Sequence, residues 1–392
     1  MENIVIIGDN KKILENNIDN FIEKIKVIYI DPPYNTKRVK SYEDKKDNWL
    51  EEISNTISLS KKFLCKAGVI FISIDDNEFA NLKISCDKIF GSENFLGSFI
   101  TNQAKRSNSK FINITHEYIL AYAKNKKYTS EFKIYRMDIP EQRDMIEKLR
   151  LFVKNKIKFG KDEALKSLNT EIQRICTRDN IAWLKNYSNI DENGEIYFAK
   201  DLSTPSKPNS LDIDEINLHL KPLKTRGWSS KEKFLKLYKK NRLVFKGDRP
   251  YEKHLLTEAY DSAPSILNFY SRQGTNDLNK LGLSGIFDTP KPVSLIKFLI
   301  RLVAKKGDIV MDYFAGSGTT AQAVWELNIE NSLDLNFILI QKDEKINEKS
   351  SIVEACKKYN IEANVSKILE YRLNTYLSQN ILASKYELRR IV

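Results

Sequence analysis

The residues best suited to chemistry lie together in the stretch VIYIDPPYNT, from Val27 to Thr36. Its short run of β-branched apolar residues predicts a buried strand. Two consecutive prolines end that strand, because proline fixes φ and donates no backbone hydrogen bond. Asp31 then stands at the carboxyl end of the strand, with Tyr34 and Asn35 just beyond the prolines. Ligands of open α/β sheets bind in the crevice outside such strand ends, so we expect a site here.

This set of groups suits chemistry at an exocyclic amine such as adenine N6, whose lone pair is delocalised into the ring. A carboxylate from Asp31 and the carbonyl of Pro32 would accept the two N–H groups, which localises and aims that lone pair. Pro32 and Pro33 keep both acceptors in place, and Tyr34 can stack on a flat base. The structural alternative is a turn in which Asp31 caps a helix, but D-P-P-Y directly after an apolar strand favours the chemical interpretation.

A second candidate site lies near the other end of the chain. A strand over Ile309–Tyr313 leads through the turn FAGSGTT (314–320) into a helix. Glycines let a ligand approach the backbone, and a helix N-terminus favours negative charge. The turn lacks the pattern of a phosphate-binding loop and of a full G-x-G-x-x-G, so phosphates and NAD fit it poorly.

Taken together, these motifs resemble a known family. IDPPYNT resembles the catalytic region of DNA adenine-N6 methyltransferases, and F-x-G-x-G resembles their S-adenosylmethionine (AdoMet) motif. The chain as a whole resembles the β-class Mod subunit of type III restriction–modification systems, mainly over residues 1–124 and 286–345. The resemblance implies a Rossmann-like, AdoMet-dependent methyltransferase sheet with a circularly permuted motif order. It also implies methyl transfer to N6 of an adenine flipped out of double-stranded DNA.

The resemblance assigns roles to individual residues. The implied catalytic residues are Asp31, Pro32, Pro33 and Tyr34. The implied AdoMet contacts are Asp312 for the methionine ammonium, Phe314 beside the adenosine, the turn residues Ala315, Gly316, Ser317, Gly318 and Thr319, and Thr289 and Lys291 of the segment TPKP. Related enzymes often carry glutamate where Gln341 ends the next strand, so the ribose contact is left open among Gln341, Asp343 and Glu344.

The order of the motifs predicts the domain organisation. Asp31 and Phe314 lie 314 − 31 = 283 positions apart, so their two strands must be neighbours in space for one site to form. We expect a catalytic half over 1–124, an inserted and mainly helical target-recognition lobe over 125–285, an AdoMet-binding half over 286–345, and a C-terminal tail over 346–392. The alternative for the insertion is an ordinary helical domain with a solvated basic face.

The charge of the chain suits a polyanionic partner, since 64 basic against 52 acidic residues give a net charge of +12. The residues that we expect to contact DNA or the adenine are Asn35, Lys105, Arg106, Lys110, Arg226, Trp228 and Arg242. The polar segment 36–47 is interpreted either as a mobile loop beside the base or as a solvated connector. No residue is assigned to a particular base, so the recognition sequence is not predicted.

Several other classes of protein fit this sequence poorly. No apolar run approaches the roughly 18 residues of a membrane helix, and the N-terminus lacks signal-peptide features, so a cytoplasmic protein is expected. The four cysteines are widely spaced, which predicts neither a metal site nor a disulfide framework.

The resemblance implies a homodimer and a restriction-subunit partner, whereas the short tail fits a stand-alone enzyme equally well. Related tetrapeptides also serve cytosine N4, RNA bases and protein amides, and a non-catalytic DNA-reading subunit is a further alternative. An Asp31 buried in a salt bridge, or far from the glycine turn, would rule out the enzyme described here.

Overall fold

The computed structural model describes residues 3–16, 18–36, 48–103, 111–380 and 385–391. The chain forms two compact units, one of residues 1–132 together with 263–392, the other of residues 133–262. The described strands, in chain order, are β1 (Asn3–Ile7), β2 (Ile25–Ile30), β3 (Leu64–Ile74), β4 (Phe95–Asn102), β5 (His116–Ala123), β6 (Lys133–Tyr135), β7 (Asn189–Ile190), β8 (Ile196–Asp201), β9 (Ser203–Thr204), β10 (Leu211–Ile213), β11 (Leu218–Leu220), β12 (Gly227–Trp228), β13 (Leu243–Lys246), β14 (Arg249–Leu255), β15 (Tyr260–Ser262), β16 (Ile266–Tyr270), β17 (Ile309–Asp312), β18 (Asn336–Gln341) and β19 (Tyr386–Arg390).

The helices are named in the same way. They are α1 (Asn10–Asn16), α2 (Trp49–Lys61), α3 (Phe79–Phe90), α4 (Pro140–Lys156), α5 (Lys161–Asp179), α6 (Lys231–Lys239), α7 (Arg272–Lys280), α8 (Val293–Arg301), α9 (Thr319–Asn331), α10 (Ser351–Lys358) and α11 (Val365–Gln379). None of the helices in the described residues is long and apolar enough to cross a membrane.

The first unit is built on a sheet with the order β16-β4-β5-β3-β2-β17-β18-β1-β19. Its central strands are parallel, and every residue of β1, β2 and β17 is buried. Strands that are buried throughout and apolar except at Asn3, Lys26 and Asp312 are typical of parallel strands with both faces covered. The predicted parallel sheet is therefore present at the centre, but the sheet is mixed, because β5 runs antiparallel to both β3 and β4.

The two motif-bearing strands are direct neighbours, as predicted. Val27 pairs with Val310 and Ile28 with Met311, so β2 and β17 run parallel and end at the same edge. From β2 the chain passes through α2 to β3 on one side, and from β17 it passes through α9 to β18 on the other. Strand connections that diverge in this way leave a crevice at the carboxyl ends, where α/β proteins bind ligands.

The second unit has its own hydrophobic core, in which α4 and α5 contribute Ile146, Leu149, Leu168 and Ile172. The helices expected between 140 and 176 are thus present. The unit also contains a four-stranded antiparallel sheet, β13-β14-β8-β7, which the sequence did not indicate. Its strands are short and carry charged residues among the apolar ones, as in IYFAKD of β8, so that no strand period stands out.

The boundaries of this unit differ from the predicted 125–285. Residues 263–285 belong to the first unit, because β16 pairs in parallel with β4 and extends the large sheet. Ala263 N donates a hydrogen bond to the Phe132 carbonyl at 3.2 Å, at the two points where the chain leaves and rejoins the first unit. The segment after residue 345 also belongs to the first unit, since β19 pairs with β1 and α11 contacts α9.

Candidate active site

One cavity brings the two predicted motifs together at the carboxyl ends of β2 and β17. Asp31 and Pro33 lie on one side of it, and Asp312, Phe314 and Gly316 on the other. The residues that line the cavity are Tyr29, Asp31, Pro33, Phe287, Thr289, Pro290, Lys291, Asp312, Phe314, Ala315, Gly316, Ser317, Thr319, Thr320, Gln341, Glu344 and Val365. Two segments from opposite ends of the chain therefore share one concave surface.

Asp31 presents its two carboxylate oxygens differently. Oδ1 accepts a hydrogen bond from the Tyr34 hydroxyl at 2.7 Å and lies 3.2 Å from Lys291 Nζ. Within the described residues, no donor reaches Oδ2. The side chain forms an ion pair, but it is 28% exposed and lines the same cavity as the glycine turn. Neither condition that would have ruled out the site, a buried salt bridge or a large distance, is met.

Tyr34 takes part in this group mainly through its hydroxyl. The ring is 7% exposed and packs in the hydrophobic core, and it does not line the cavity. Burial first, and then the charge of Asp31, raises the pKa of Tyr34 well above its ordinary value. The phenol therefore stays protonated and donates a hydrogen bond to Asp31, while its oxygen accepts a hydrogen bond from Lys291 Nζ at 2.6 Å. The predicted stacking on a base stays a prediction.

Glu117 is a member of the group that the sequence did not single out. It lies in β5, and its Oε2 is 2.7 Å from Lys291 Nζ and 3.3 Å from the Tyr34 hydroxyl. Burial alone would lower the pKa of Lys291, but the negative charges of Asp31 and Glu117 raise it above its ordinary value. Lys291 is therefore a protonated amine shared between two carboxylates. We call Asp31, Tyr34, Glu117 and Lys291 the acid–lysine cluster.

The two prolines differ in how their carbonyls are used. The Pro33 carbonyl accepts a hydrogen bond from Trp49 Nε1 at 2.6 Å, which fixes the backbone after the motif. Within the described residues, no group donates a hydrogen bond to the Pro32 carbonyl. Asn35 follows with φ at 55°, in the left-handed region that asparagine tolerates, and its Nδ2 donates to Glu78 Oε1 at 2.8 Å.

Asp312 is held rigidly at the base of the glycine turn. Its Oδ1 accepts from the Phe314 backbone N–H at 3.0 Å, and its Oδ2 accepts from the Thr320 hydroxyl at 2.6 Å. The side chain is only 2% exposed, and this burial raises the pKa of Asp312 to about 7, against the two hydrogen bonds that lower it. A buried carboxylate in a cavity wall is suited to a cationic partner.

The glycine turn itself is fixed by the next strand and by α11. Gly316 has φ at 53°, and its N–H donates to Gln341 Oε1 at 2.8 Å. Gly318 has φ at 87°, and a Cβ there would come within 2.5 Å of Leu369 Cδ1. Both positions therefore favour glycine for conformational reasons, and Gly318 also for space. Gly318 does not line the cavity.

The three residues considered for a ribose contact have different surroundings. Gln341 lines the cavity, but its Oε1 is used by Gly316. Asp343 accepts a hydrogen bond from the Ser366 hydroxyl at 2.5 Å and lies outside the cavity lining. Glu344 lines the cavity.

The loop that carries Thr289 and Lys291 is held by α7. Gly274 approaches it so closely that a Cβ would come within 1.8 Å of the Pro290 carbonyl oxygen. Asp277 Oδ2 accepts the Val293 N–H at 3.0 Å at the start of α8. Thr289 has φ at 47°, which is unusual for a β-branched residue and is typical of functional sites.

The residues predicted to contact DNA fall into two groups. Lys105, Arg106 and Lys110, together with most of the segment 36–47, lie outside the described residues. Trp228 is 7% exposed and packs in a small core of the second unit. Arg226 donates to Ser203 Oγ at 2.7 Å, and Arg242 forms a bidentate pair with Glu258 at 2.7 and 2.8 Å. In this structure Arg226, Trp228 and Arg242 have partners within the second unit, and their contact with DNA stays a prediction.

Comparison with known proteins places the chain in a family. Residues 25–352 match the family model N6_N4_Mtase, described as DNA methylase. The chain is 29% identical to the Type III restriction-modification enzyme EcoP15I Mod subunit of Escherichia coli over 402 residues, which cover 90% of this chain. It spans only 60% of the length of that relative. It is also 28% identical to the Type II methyltransferase M.KpnI of Klebsiella pneumoniae over 403 residues, which cover 99% of this chain and 90% of that one.

Among solved structures, a putative DNA modification methylase of Thermus thermophilus complexed with S-adenosyl-L-methionine aligns with a TM-score of 0.43 and 12% identity, over 100% of this chain and 99% of the other. The family model covers well over half of the chain. The chain belongs to the N6_N4_Mtase family of DNA methylases.

Proposed function

We propose that this protein is an AdoMet-dependent DNA methyltransferase that methylates N6 of an adenine flipped out of double-stranded DNA, and that it is the modification component of a restriction–modification system. The observation that carries the proposal is that Asp31 and the glycine turn line one cavity. The family membership and the names of the relatives support DNA as the acceptor.

The residues of the cavity fit AdoMet. Its methionine ammonium needs an anion in a confined place, and Asp312 is a buried carboxylate in the cavity wall. Gly316 leaves the backbone accessible, Phe314 offers an aromatic ring to the adenosine, and Glu344 is our choice for the ribose hydroxyls. When bound, AdoMet supplies a methyl group activated by a sulfonium.

The acid–lysine cluster explains how the acceptor amine is oriented. Asp31 Oδ1 is held by Tyr34 and Lys291, so Oδ2 remains to accept one N–H of the amine. The Pro32 carbonyl accepts the other N–H, and Pro33, fixed by Trp49, keeps that carbonyl in place. Positive charge develops on the amine as it attacks, and Asp31 stabilises it; Oδ2 is then placed to receive the proton that the amine releases.

We further propose that residues 133–262 are the target-recognition region, in which Trp228 belongs to a small core while the more exposed Arg226 and Arg242 are bonded to neighbouring residues. We also propose that Asn35, Lys105, Arg106 and Lys110 contact the DNA. A homodimer and a restriction-subunit partner complete the proposal, on the strength of the similarity to a Mod subunit.

The test is Asp31→Ala in the full-length protein. We expect AdoMet binding by calorimetry to stay within about threefold, and tritium transfer from labelled AdoMet to DNA to fall at least about 10²-fold, the scale for removing one preorganised catalytic group. Asp75→Ala is the matched control, because Asp75 also follows a strand of the sheet but accepts hydrogen bonds from Asn77. Near-normal transfer by Asp31→Ala would refute the role of Asp31.

The acceptor is tested separately. Methyl incorporation into DNA, RNA and protein substrates distinguishes the acceptor classes. Methylation-aware sequencing of DNA from cells with and without the protein then identifies the base and its sequence context. The family name N6_N4_Mtase also covers amines at N4. Methylation of cytosine N4 would overturn the adenine assignment and leave the role of Asp31 intact.

A further inference from the structure

A buried arginine lies directly behind the glycine turn. Arg372 of α11 is 0% exposed, and its Nη1 donates to Ser317 Oγ at 2.7 Å and to Thr319 Oγ1 at 2.9 Å. Its Nη2 donates to Gln322 Oε1 at 2.9 Å, and its Nε has no partner in the described part of the chain. All three acceptors are neutral groups of the turn and of the first turn of α9.

The charge of Arg372 is offset only in part, by the carboxylates of Asp277 and Glu326, which act on it from beyond ion-pair distance. Within the described residues no carboxylate forms an ion pair with it, although a buried ion normally requires one. Burial accordingly lowers the pKa of Arg372 to about 10, still well above neutrality, so the guanidinium is charged. A fully buried cation of this kind is costly unless a negative group completes its surroundings.

Ser317 and Thr319 connect this cation with the cavity. Both line it and both are buried, at 2% and 7% exposure. Since each hydroxyl oxygen accepts a hydrogen bond from Arg372, each hydroxyl has its own O–H left to donate. In the described residues neither O–H has an acceptor. The structure therefore contains two buried O–H donors, each bonded to a cation, in the wall of the cavity at the N-terminus of a 13-residue helix.

We propose that Arg372 is a positioning residue that turns Ser317 and Thr319 into a subsite for the carboxylate of the methionine part of AdoMet. The inference rests on the proposed function and deepens it. The carboxylate is the only anionic group of AdoMet, so an anion subsite in this cavity has a single candidate. The ammonium lies on the same carbon atom, and Asp312, whose Oδ2 bonds the adjacent Thr320, is the nearby acceptor for it.

Lys291 is the other cation of the cavity and a less suitable partner for the carboxylate. Its Nζ is already within 3.2 Å of Asp31 and 2.7 Å of Glu117, so two negative charges offset one positive charge. Arg372 has no carboxylate within ion-pair distance among the described residues, and Asp277 and Glu326 act on its charge only from farther away. A further anion is therefore repelled by the surroundings of Lys291 and attracted by those of Arg372.

The experiment compares two ligands by calorimetry, AdoMet and decarboxylated AdoMet, which lacks the carboxylate but keeps the ammonium and the sulfonium. We expect the wild-type protein to bind AdoMet about 10- to 100-fold more tightly, the range for hydrogen bonds to a charged group. Arg372→Gln should lose most of this preference by weakening AdoMet alone, with decarboxylated AdoMet within about threefold of wild type. A merely structural role of Arg372 would weaken both ligands alike, and that result would overturn the proposal.

Two further variants keep the test decisive. Ser317→Ala retains Arg372 and removes one O–H donor, so it should reduce the preference even where Arg372→Gln does not fold. Arg301→Gln is the control, because Arg301 is a helix residue of the same unit that pairs with Glu330 and Asn331 outside the cavity. A wild-type protein that binds neither ligand would refute the proposed function, whereas equal binding of both ligands would refute only the carboxylate subsite.

Discussion

Replacing Glu117 by glutamine tests the acid–lysine cluster most directly. Lys291 Nζ is shared between Glu117 at 2.7 Å and Asp31 at 3.2 Å, and Glu117 is the closer partner. In Glu117→Gln the lysine keeps only one carboxylate partner, so it moves towards Asp31 and competes with the acceptor amine. We expect kcat to fall, while the dissociation constant of AdoMet changes by less than about threefold, because Glu117 does not line the cavity.

The size of the effect follows from the distances. Coulomb energies at an effective dielectric constant of about 20 are roughly 6 kcal/mol for 2.7 Å and roughly 5 kcal/mol for 3.2 Å, so the two carboxylates attract Lys291 with similar strength. The net value of a charge-assisted hydrogen bond in a protein is smaller, about 1.5–3 kcal/mol, because each partner gives up solvation. The expected loss in kcat is therefore about 10- to 100-fold.

The assay is single-turnover transfer of labelled methyl groups to DNA, with AdoMet binding measured by calorimetry. Asp87→Asn is the matched control, because Asp87 also accepts from a lysine and a tyrosine, Lys83 at 2.7 Å and Tyr122 at 2.7 Å, outside the cavity. Lys291→Met in the Glu117→Gln background should lower kcat little further than the more damaging of the two single changes, since both changes act on one pair. Additive losses in the double variant, or a normal kcat in Glu117→Gln, would refute the reasoning.

Two further predictions concern Tyr34 and Asp312. Tyr34→Phe keeps the ring but removes the hydroxyl bonded to Asp31, so kcat should fall about 10-fold or more; full activity in single-turnover transfer would mean that the ring alone matters. Because burial raises the pKa of Asp312 to about 7, its carboxylate is neutral below that pH and charged above it, and AdoMet affinity should increase as the pH rises through 7. Calorimetry between about pH 6 and about pH 8 should show this increase in the wild type, and Asp312→Asn should lose it. The free energy of unfolding should decrease as the pH rises towards 7, since the folded protein binds the extra proton below that pH.

The elements that carry the motifs were predictable because their signals are local. The strands β2, β17 and β18 contain the apolar runs 27–30, 309–311 and 337–340, which are followed by a proline pair, a glycine turn and a polar cluster, respectively. The adjacency of β2 and β17 followed from a chemical requirement, since the two motifs must meet in one site. No periodic pattern was needed for that inference.

Glu117 and Arg372 were missed because nothing near them in the sequence marks them. Glu117 gains its role from Lys291, which is 174 positions away, and Arg372 from Ser317, which is 55 positions away. An acid in a strand and an arginine in an amphipathic helix are ordinary surface features until the tertiary fold buries them. Trp228 illustrates the opposite case, because its basic neighbours suggested a nucleic-acid surface, whereas its ring fills a small core.

The hydrogen bond from Ala263 to Phe132 has a consequence for how such proteins diversify. The chain leaves and re-enters the first unit at adjacent points, so the 130 residues from Lys133 to Ser262 form a cassette whose two ends lie next to each other. Exchange of that cassette between relatives, in the laboratory or by recombination, need not disturb a strand of the large sheet or a residue of the cavity. On the proposal that this region recognises the DNA target, its exchange changes the target and leaves the residues of the cavity as they are.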